Sequence, residues 1–343
     1  MSKKFVFVAL GVWGCSDYKL GLRSVGDVFT QVEVGEVDIL LVVDNSCSMK
    51  PYQEKLSENF DVFLTFFVEG NVDYQIGVTT TTVEDPPPAS DDCSQSDVDS
   101  VPVGGQMMNN NTVIGSGSPN AAELFDELVN VGTCGSDQEM GIESALNVLE
   151  SPNPLLREDA YLSVIFVSDE QDASPLGVNE YINRMRAVKD FDARNIFNAS
   201  SLVVRDLSLC SEEQVAFGAT VGSRYIDVAE QTDGIIENIC ADDFESIVTD
   251  LSLNSLRLND TFYLTQRPNL DSLIVGVNGE EVPCDGSGSY SWIYELMEGD
   301  IPIIRFERTT LPPPSSRITV EYDPGRGDPD DFCVGAVFED TEQ

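Results

Sequence analysis

Two uninterrupted apolar runs constrain the fold of this chain more than any other feature. Residues 37–43 read VDILLVV, and residues 161–167 read YLSVIFV. A strand with one face in water alternates apolar and polar residues, so runs without alternation indicate strands that are buried on both faces. Such strands are typical of parallel sheets covered by helices on both sides. The two runs therefore predict a parallel sheet at the centre of an α/β domain.

The segments around these runs support that prediction. Apolar residues at helical spacing between 52 and 68 indicate a helix directly after the first strand. A long excursion at 84–119, rich in proline, serine, aspartate and asparagine, interrupts the pattern. Strands and helices otherwise alternate, which indicates a doubly wound, mostly parallel sheet over 37–256. We predict further strands at 74–80, 196–204 and 225–228, and further helices at 121–131, 139–149, 179–189 and 242–253.

The pattern of the chain changes near residue 257. Asn278-Gly279, between two apolar segments, is a strong signal for a two-residue hairpin turn. We therefore predict a small antiparallel β-domain over 257–343, after the α/β domain. Its short alternating segments lie at 262–264, 272–277, 290–296, 301–307 and 317–322.

The composition excludes several kinds of chemistry. The 343 residues include 60 acidic and 19 basic side chains, for a formal net charge of −41, and no histidine. Without histidine there is no Ser-His-Asp or Cys-His nucleophile and no HExxH zinc site. The negative charge argues against nucleic acid, and the lack of P-loop and GxGxxG motifs argues against a nucleotide. No pair of carboxylates stands out as catalytic, so the chain is not expected to be an enzyme.

Residues 1–14 have the order of an export signal. Two lysines precede an apolar run that is too short to span a bilayer. The run ends in Val-Trp-Gly-Cys, which resembles the lipobox of bacterial lipoproteins. The resemblance implies cleavage before Cys15, a lipid on that cysteine, and a polar tether over 15–36 that attaches the protein to the bacterial outer membrane or cell surface. The alternative is an ordinary secretory signal and a periplasmic or secreted chain.

Export to an oxidising compartment predicts disulfides among the remaining cysteines. Cys210 and Cys240 flank one segment late in the α/β domain, so we predict a bond between them. Cys284 and Cys333 both lie in the β-domain, and we predict a second bond there. The sequence has no CxxC pair, which argues against a zinc site. One bond and one odd thiol remain to be shared by Cys47, Cys93 and Cys134.

The most informative motif is DNSCS, directly after the first apolar run. It places Asp44, Ser46 and Ser48 on alternate residues of one loop. In open α/β sheets ligands bind outside the carboxyl ends of the strands, where this loop would lie. One carboxylate and two neutral hydroxyls can bind a hard cation such as Mg²⁺ while leaving a coordination position open. The alternative is that one of these residues caps the following helix, which needs one such side chain rather than three.

The strand, the DxSxS motif and the alternating α/β order resemble a von Willebrand factor A (VWA) domain with its metal-ion-dependent adhesion site (MIDAS). The resemblance implies that Asp169, in VSDEQD after the second apolar run, belongs to the third loop of the site. It also implies a hydroxyl ligand from a second loop, for which Thr133 and Ser136 are alternative candidates. Over residues 37–325 the chain is similar to bacterial VWA lipoproteins with a C-terminal β-domain.

The resemblance carries expectations about function as well. It implies a bond between Cys47 and Cys134 that clamps two metal loops together. It implies Mg²⁺, or Ca²⁺ or Mn²⁺, and a partner protein that presents an Asp or Glu to the metal. We therefore expect an envelope-anchored binding module of adhesion type. The alternatives are a structural or assembly lipoprotein in which the VWA domain is a scaffold, and a metal-dependent hydrolase.

Overall fold

The computed structural model describes residues 24–31, 35–84, 93–103, 105–136, 138–189, 197–284, 288–297, 300–307 and 310–327. The predicted signal peptide, Cys15 and Cys333 lie outside these residues. Within the described residues the strands are β1 (Val25–Thr30), β2 (Glu36–Val43), β3 (Asp73–Thr80), β4 (Ile114–Gly115), β5 (Tyr161–Ser168), β6 (Phe197–Val203), β7 (Ile236–Asn238), β8 (Thr261–Tyr263), β9 (Ile274–Val277), β10 (Glu280–Glu281), β11 (Trp292–Met297), β12 (Ile301–Phe306) and β13 (Arg317–Tyr322). The helices are α1 (Lys50–Glu58), α2 (Phe60–Glu69), α3 (Gln95–Ser100), α4 (Met108–Asn111), α5 (Ala121–Val129), α6 (Gly141–Glu150), α7 (Val178–Ala187), α8 (Glu212–Ala216), α9 (Ser223–Glu230) and α10 (Phe244–Ser255).

The central sheet has six strands in the order β4-β3-β2-β5-β6-β7, and only the β3–β4 pair is antiparallel. Every residue of β5 is buried, and so is β2 after its first residue. Ile39 and Leu41 of β2 pack with α1, α2, α5 and α10, while Leu40 and Val42 pack with α6, α7 and α9. Both faces are thus covered by helices, which is why the strands are uninterrupted apolar runs. The predicted doubly wound α/β fold is confirmed.

Two predicted elements differ from those in the structure. The predicted strand at 225–228 is part of helix α9, and the last strand of the sheet is β7. Tyr225, Val228 and Ala229 of α9 are buried at helical spacing, and a short apolar run does not distinguish the two periods. The helix predicted over 52–68 is two helices, α1 and α2, which meet at Asn59.

The β-domain contains two antiparallel sheets, β1-β13-β9-β10 and β11-β12-β8. The hairpin turn at Asn278-Gly279 joins β9 and β10, and both of its residues have positive φ, as the sequence predicts. The first strand of this domain is β1, which lies in the segment predicted to be a tether, 15–36, and pairs along its full length with β13. That prediction is wrong for β1. Residues of β1 alternate in burial, and Phe29 packs 5.3 Å from the ring of Phe262.

The α/β domain is therefore inserted between the first strand of the β-domain and the rest of it. Gln31, at the exit of β1, is buried at the junction, where its Nε2 donates to the carbonyl of Asn259 at 2.9 Å and its Oε1 accepts from the Asn259 amide at 3.0 Å. One hydrophobic cluster continues from Leu256 at the end of α10 to Phe262 and Phe306 of the β-domain. In the part of the chain that the structure describes, no helix is long and apolar enough to cross a bilayer.

Candidate metal centre

The loop after β2 begins with a carboxylate that the sheet holds in place. Asp44 is fully buried, and its amide donates to the carbonyl of Val167 at 2.9 Å, which continues the pairing of β2 with β5. Its Oδ1 accepts from the Ser46 amide at 2.7 Å, and its Oδ2 accepts from the Ser168 hydroxyl at 2.5 Å. The ends of two neighbouring strands thus fix both carboxylate oxygens.

The two serines of the motif connect this loop to the loop after β5. The hydroxyls of Ser46 and Ser48 lie 3.2 Å apart. The Ser48 hydroxyl donates to Oδ1 of Asp169 at 3.0 Å, and Asp169 is 1% exposed. The structure therefore brings Asp44, Ser46, Ser48 and Asp169 together at the carboxyl edge of the sheet, where the sequence places them.

The two hydroxyl candidates of the second loop lie behind this group. Ser136 donates its amide to the Thr82 hydroxyl at 3.0 Å, and its own hydroxyl accepts from the Gln138 amide at 3.1 Å. Thr82 in turn donates to the Asn45 side chain at 2.9 Å, so Ser136 supports the neighbour of Asp44. Among the described residues, the hydroxyls of Thr133 and Ser136 make no hydrogen bond to Asp44, Ser46, Ser48 or Asp169.

The second loop instead contributes a carboxylate, Glu139, that the sequence reasoning missed. Glu139 is 1% exposed, and its carboxyl group contacts that of Asp44. Its Oε2 accepts a short hydrogen bond from the Thr81 hydroxyl at the end of β3, and its Oε1 is buried without a hydrogen-bond partner. Glu139 lies two residues before helix α6, in the same loop as the two predicted hydroxyl ligands. Its sequence signal is an acidic side chain close to the start of a helix, which can supply an oxygen ligand as a hydroxyl does.

The electrostatics of the site follow from burial of like charges. Burial, and then the charge of Asp44, raises the pKa of Glu139 to about 10. The same two causes raise the pKa of Asp169 to about 6, and burial raises the pKa of Asp44. Among the described residues no Lys or Arg forms an ion pair with any of these three carboxylates. The site therefore concentrates buried negative charge that the chain itself does not neutralise.

Buried contacts also join the second and third loops. Asp172 is 3% exposed, and its Oδ2 accepts from Nε of Arg224 at 2.8 Å. Its Oδ1 accepts from the Ile142 amide in the first turn of α6 at 3.1 Å. The Ala173 amide donates to the carbonyl of Glu139 at 2.6 Å. These bonds hold the backbone of Glu139 against the loop that carries Asp169.

The disulfides differ in one place from the expected pattern. The Cys210–Cys240 bond is present as predicted, and Cys284 is disulfide-bonded, although its predicted partner Cys333 lies outside the described residues. The expected bond between Cys47 and Cys134 is wrong, because Cys134 is bonded to Cys93 and Cys47 is an exposed free thiol. Cys47 occupies the turn between Ser46 and Ser48 and faces solvent. The Cys93–Cys134 bond instead ties the 84–119 excursion to the second loop.

The donor set fits a hard divalent cation. Carboxylate and hydroxyl oxygens are the ligands that Mg²⁺ and Ca²⁺ prefer, and the buried Glu139 Oε1 lacks any partner. In the described ranges no three Asp, Glu, Cys or His side chains are arranged to hold a metal ion by themselves. A cation here would therefore need the hydroxyls of Ser46 and Ser48 in addition to the carboxylates.

Comparison with known proteins yields similarity to solved structures alone, since no family model and no curated protein matches the sequence. The mussel byssus proximal thread matrix protein 1, in a structure titled as having a zinc-occupied MIDAS motif, is 14% identical with a TM-score of 0.40, covering 68% of this chain and 48% of that chain. The pilus adhesin SpaC from Lactobacillus rhamnosus GG, in its open conformation, is 11% identical with a TM-score of 0.44, covering 87% and 40%. BatB from Bacteroides thetaiotaomicron is 14% identical with a TM-score of 0.35, covering 64% and 96%. The chain thus spans less than half the length of the first two.

Proposed function

We propose that this protein is an exported, VWA-type binding module that captures an Asp or Glu of a partner protein through a divalent cation. Asp44, Ser46 and Ser48 would hold the cation, together with Glu139 and Asp169. The observation that carries the proposal is the meeting of three buried carboxylates at the carboxyl edge of the sheet, where no described Lys or Arg neutralises them. Ionising a buried carboxyl group without a partner costs several kcal/mol, so a site that retains three buried carboxyl groups is expected to bind a cation.

The chain's own residues account for binding rather than catalysis. Asp44 is held at both oxygens by the backbone and by Ser168, so it is positioned before any ligand arrives. Ser46 and Ser48 are neutral and leave much of the positive charge of a bound cation uncompensated. When bound, the cation supplies a positively charged coordination position that a partner's carboxylate can occupy. The sequence has no histidine to act as an acid or base beside it. We propose no catalytic activity.

The proposed location is the bacterial cell surface or outer membrane, with a lipid on Cys15 as the anchor. In a secreted or periplasmic form, Cys15 would carry no lipid. β1 begins at Val25, so in the anchored form only the residues between Cys15 and that strand would separate the β-domain from the lipid. Metabolic labelling with a clickable fatty acid, in wild type and in Cys15→Ser, tests the anchor directly.

The test of function is capture of envelope proteins by the purified protein in Mg²⁺ and in EDTA. We expect capture in Mg²⁺ to be lost in EDTA and in Asp44→Asn, which keeps the shape of the side chain and removes its charge. Glu127→Ala is the matched control, because Glu127 is an exposed acidic residue of α5 outside the site. Capture that persists in EDTA and in Asp44→Asn would overturn the proposal and favour the alternative in which the α/β domain is a scaffold.

A further inference from the structure

A cavity of about 630 Å³ opens beside the metal centre. Ser48 and Asp169 line it, together with Tyr52 and Lys55 of α1. Its volume falls within the range found for small-ligand sites and is larger than the volume of one large side chain. A ligand whose carboxylate reaches the metal centre therefore has an adjoining space that can accept a second group.

The cavity is also lined by the loop between β6 and α9, which exposes large apolar side chains. We refer to residues 207–217 of this loop as the apolar wall. Four of its side chains are 39–65% exposed, and two of them, Leu209 and Phe217, line the cavity. On a chain with a net charge of −41, a cluster of this kind indicates a surface that meets another molecule. The four side chains are Leu207, Leu209, Val215 and Phe217.

The apolar wall is held at three points by residues that line the same cavity as the metal centre. The Cys210–Cys240 bond fixes its start. In its middle, Nε2 of Gln214 donates to the Tyr52 hydroxyl at 2.9 Å. Just after its end, the Thr220 amide donates to the carbonyl of Asp169 at 2.9 Å. The wall therefore has a set position relative to the proposed cation, and a ligand that contacts both does not have to order a loop.

The helix within the wall is stabilised locally as well. Ser211 and Gln214 form a capping box, in which the Gln214 amide donates to the Ser211 hydroxyl at 3.2 Å and the Ser211 amide donates to Gln214 Oε1 at 2.7 Å. Gly218 follows Phe217 with a φ of 113°, a conformation that glycine adopts at little cost. This turn places Phe217 at the end of α8 and leaves its side chain 65% exposed.

The charges that line the cavity restrict where an acidic group can sit. Among the described residues that line the cavity, Lys55 has the basic side chain, and its Nζ donates to the carbonyl of Ala241 at 3.2 Å. Glu213 and Asp242 also line the cavity, so a second carboxylate would be repelled near them. The metal side of the cavity thus suits an acidic group, while the side formed by Leu209 and Phe217 suits an apolar one.

We propose that the partner presents a segment in which an Asp or Glu is followed or preceded, within three residues, by a large apolar side chain. The carboxylate binds at the metal centre, and the apolar side chain enters the cavity against Leu209 and Phe217. This proposal rests on the proposed function, because it assumes that a carboxylate occupies the metal centre. It adds a second recognition element that selects among the many acidic segments of other proteins.

The experiment is selection from a phage-displayed library of random nine-residue peptides on the full exported chain in Mg²⁺, with elution by EDTA. We expect the eluted peptides to combine an acidic residue with Phe, Trp, Tyr, Leu or Ile within three positions. For an enriched peptide made synthetically, Phe217→Ser should weaken binding by roughly tenfold or more, since burial of a large apolar side chain is lost. Selection on Phe217→Ser should still enrich the acidic residue but not the apolar one.

Tyr263→Ser is the matched control, since Tyr263 is an aromatic residue of β8 that is 56% exposed, similar to Phe217 at 65%. It should leave the affinity of the same peptide unchanged. EDTA-eluted peptides with an acidic residue and no apolar preference would overturn this proposal and leave the proposed function standing. Apolar peptides that EDTA does not elute would overturn the link between cavity and metal. The absence of any EDTA-eluted peptide would overturn both proposals.

Discussion

Two buried aspartates lie near the two ends of strand β2, and their surroundings are opposite. The side chain of Asp38 at the amino end is 0% exposed and pairs with Nε of Arg157 at 2.7 Å and with Nζ of Lys189 at 3.1 Å. Asp44, just past the carboxyl end, is equally buried but lies beside Glu139 and Asp169, without a cation among the described residues. Two basic side chains neutralise Asp38, whereas Asp44 is surrounded by further carboxyl groups.

This difference separates a structural charge from a functional one. A buried ion pair within the chain keeps the fold specific and needs nothing from outside. A buried carboxylate cluster without internal compensation lowers stability, and such costs persist where a ligand offsets them. The two aspartates are the same residue type at opposite ends of one strand, so each serves as the control for the other.

The largest expected effect is the loss of stability on removal of the Asp38 carboxylate. In EDTA, Asp38→Ala should lower the free energy of unfolding by roughly 3–5 kcal/mol, because it leaves Lys189 buried without its acidic partner. Asp44→Asn in EDTA should be neutral or stabilising, because it removes a buried charge that lacks a cation. Urea unfolding followed by circular dichroism measures both. A destabilisation of similar size in the two variants would remove the distinction between the aspartates.

Next in size is the effect of metal on stability. Mg²⁺ at a hundredfold excess over its dissociation constant should stabilise the wild type by about 2.7 kcal/mol, because it binds the folded state alone. Asp44→Asn should lose this gain, and the exposed-site control Glu127→Ala should keep it. The check is the melting temperature in Mg²⁺ and in EDTA. An equal Mg²⁺ effect in Asp44→Asn would place the bound metal elsewhere.

A smaller effect, counted per pH unit, is expected from a change of pH. The pKa of Glu139 is about 10 in the folded state against an ordinary value of 4.5, and that of Asp169 is about 6 against 3.8. Between the ordinary and the folded pKa of each group, the folded chain holds a proton that the unfolded chain has released. The free energy of unfolding is therefore greatest at low pH and falls as pH rises. In EDTA, we expect a loss of up to about 1.4 kcal/mol per pH unit for each proton retained. Unfolding in urea from pH 5 to 8 tests the sign, and Mg²⁺ should flatten the dependence.

The smallest effect is the change in stability that Glu139→Gln causes at pH 5. At pH 5 in EDTA, Glu139→Gln should change stability by less than about 0.5 kcal/mol, because a protonated carboxyl and an amide are both neutral. At pH 8 the variant should be more stable than the wild type, since it has no proton to lose. A calorimetric Mg²⁺ titration of the same variant shows whether Glu139 contributes to binding. If the stability of Glu139→Gln depends on pH as steeply as that of the wild type, a group other than Glu139 causes the pH dependence.

Much of the architecture was predictable because local patterns encode it. The uninterrupted runs at β2 and β5 predicted a parallel sheet, and the position of Asp44 directly after β2 placed the site at its carboxyl edge. Asp169, at the end of β5, was implied by the family resemblance. The prediction was wrong for β1, because six alternating residues before a domain resemble a tether until their partner strand, β13, is known. That partner follows almost three hundred residues later, as the register from Val25 to Tyr322 records.

Local patterns were enough to predict the α/β class, the β-domain, the DxSxS loop and the Cys210–Cys240 bond, because strand period, loop order and short cysteine spacing are local properties. The packed fold was needed to establish which carboxylate of the second loop turns inward, which cysteine bonds Cys134, and which buried aspartate pairs with a basic side chain. Each of these depends on the distance between side chains from loops far apart in the chain. Free energy in a buried site depends on those distances and on solvent exclusion, and neither is set before the strands pack.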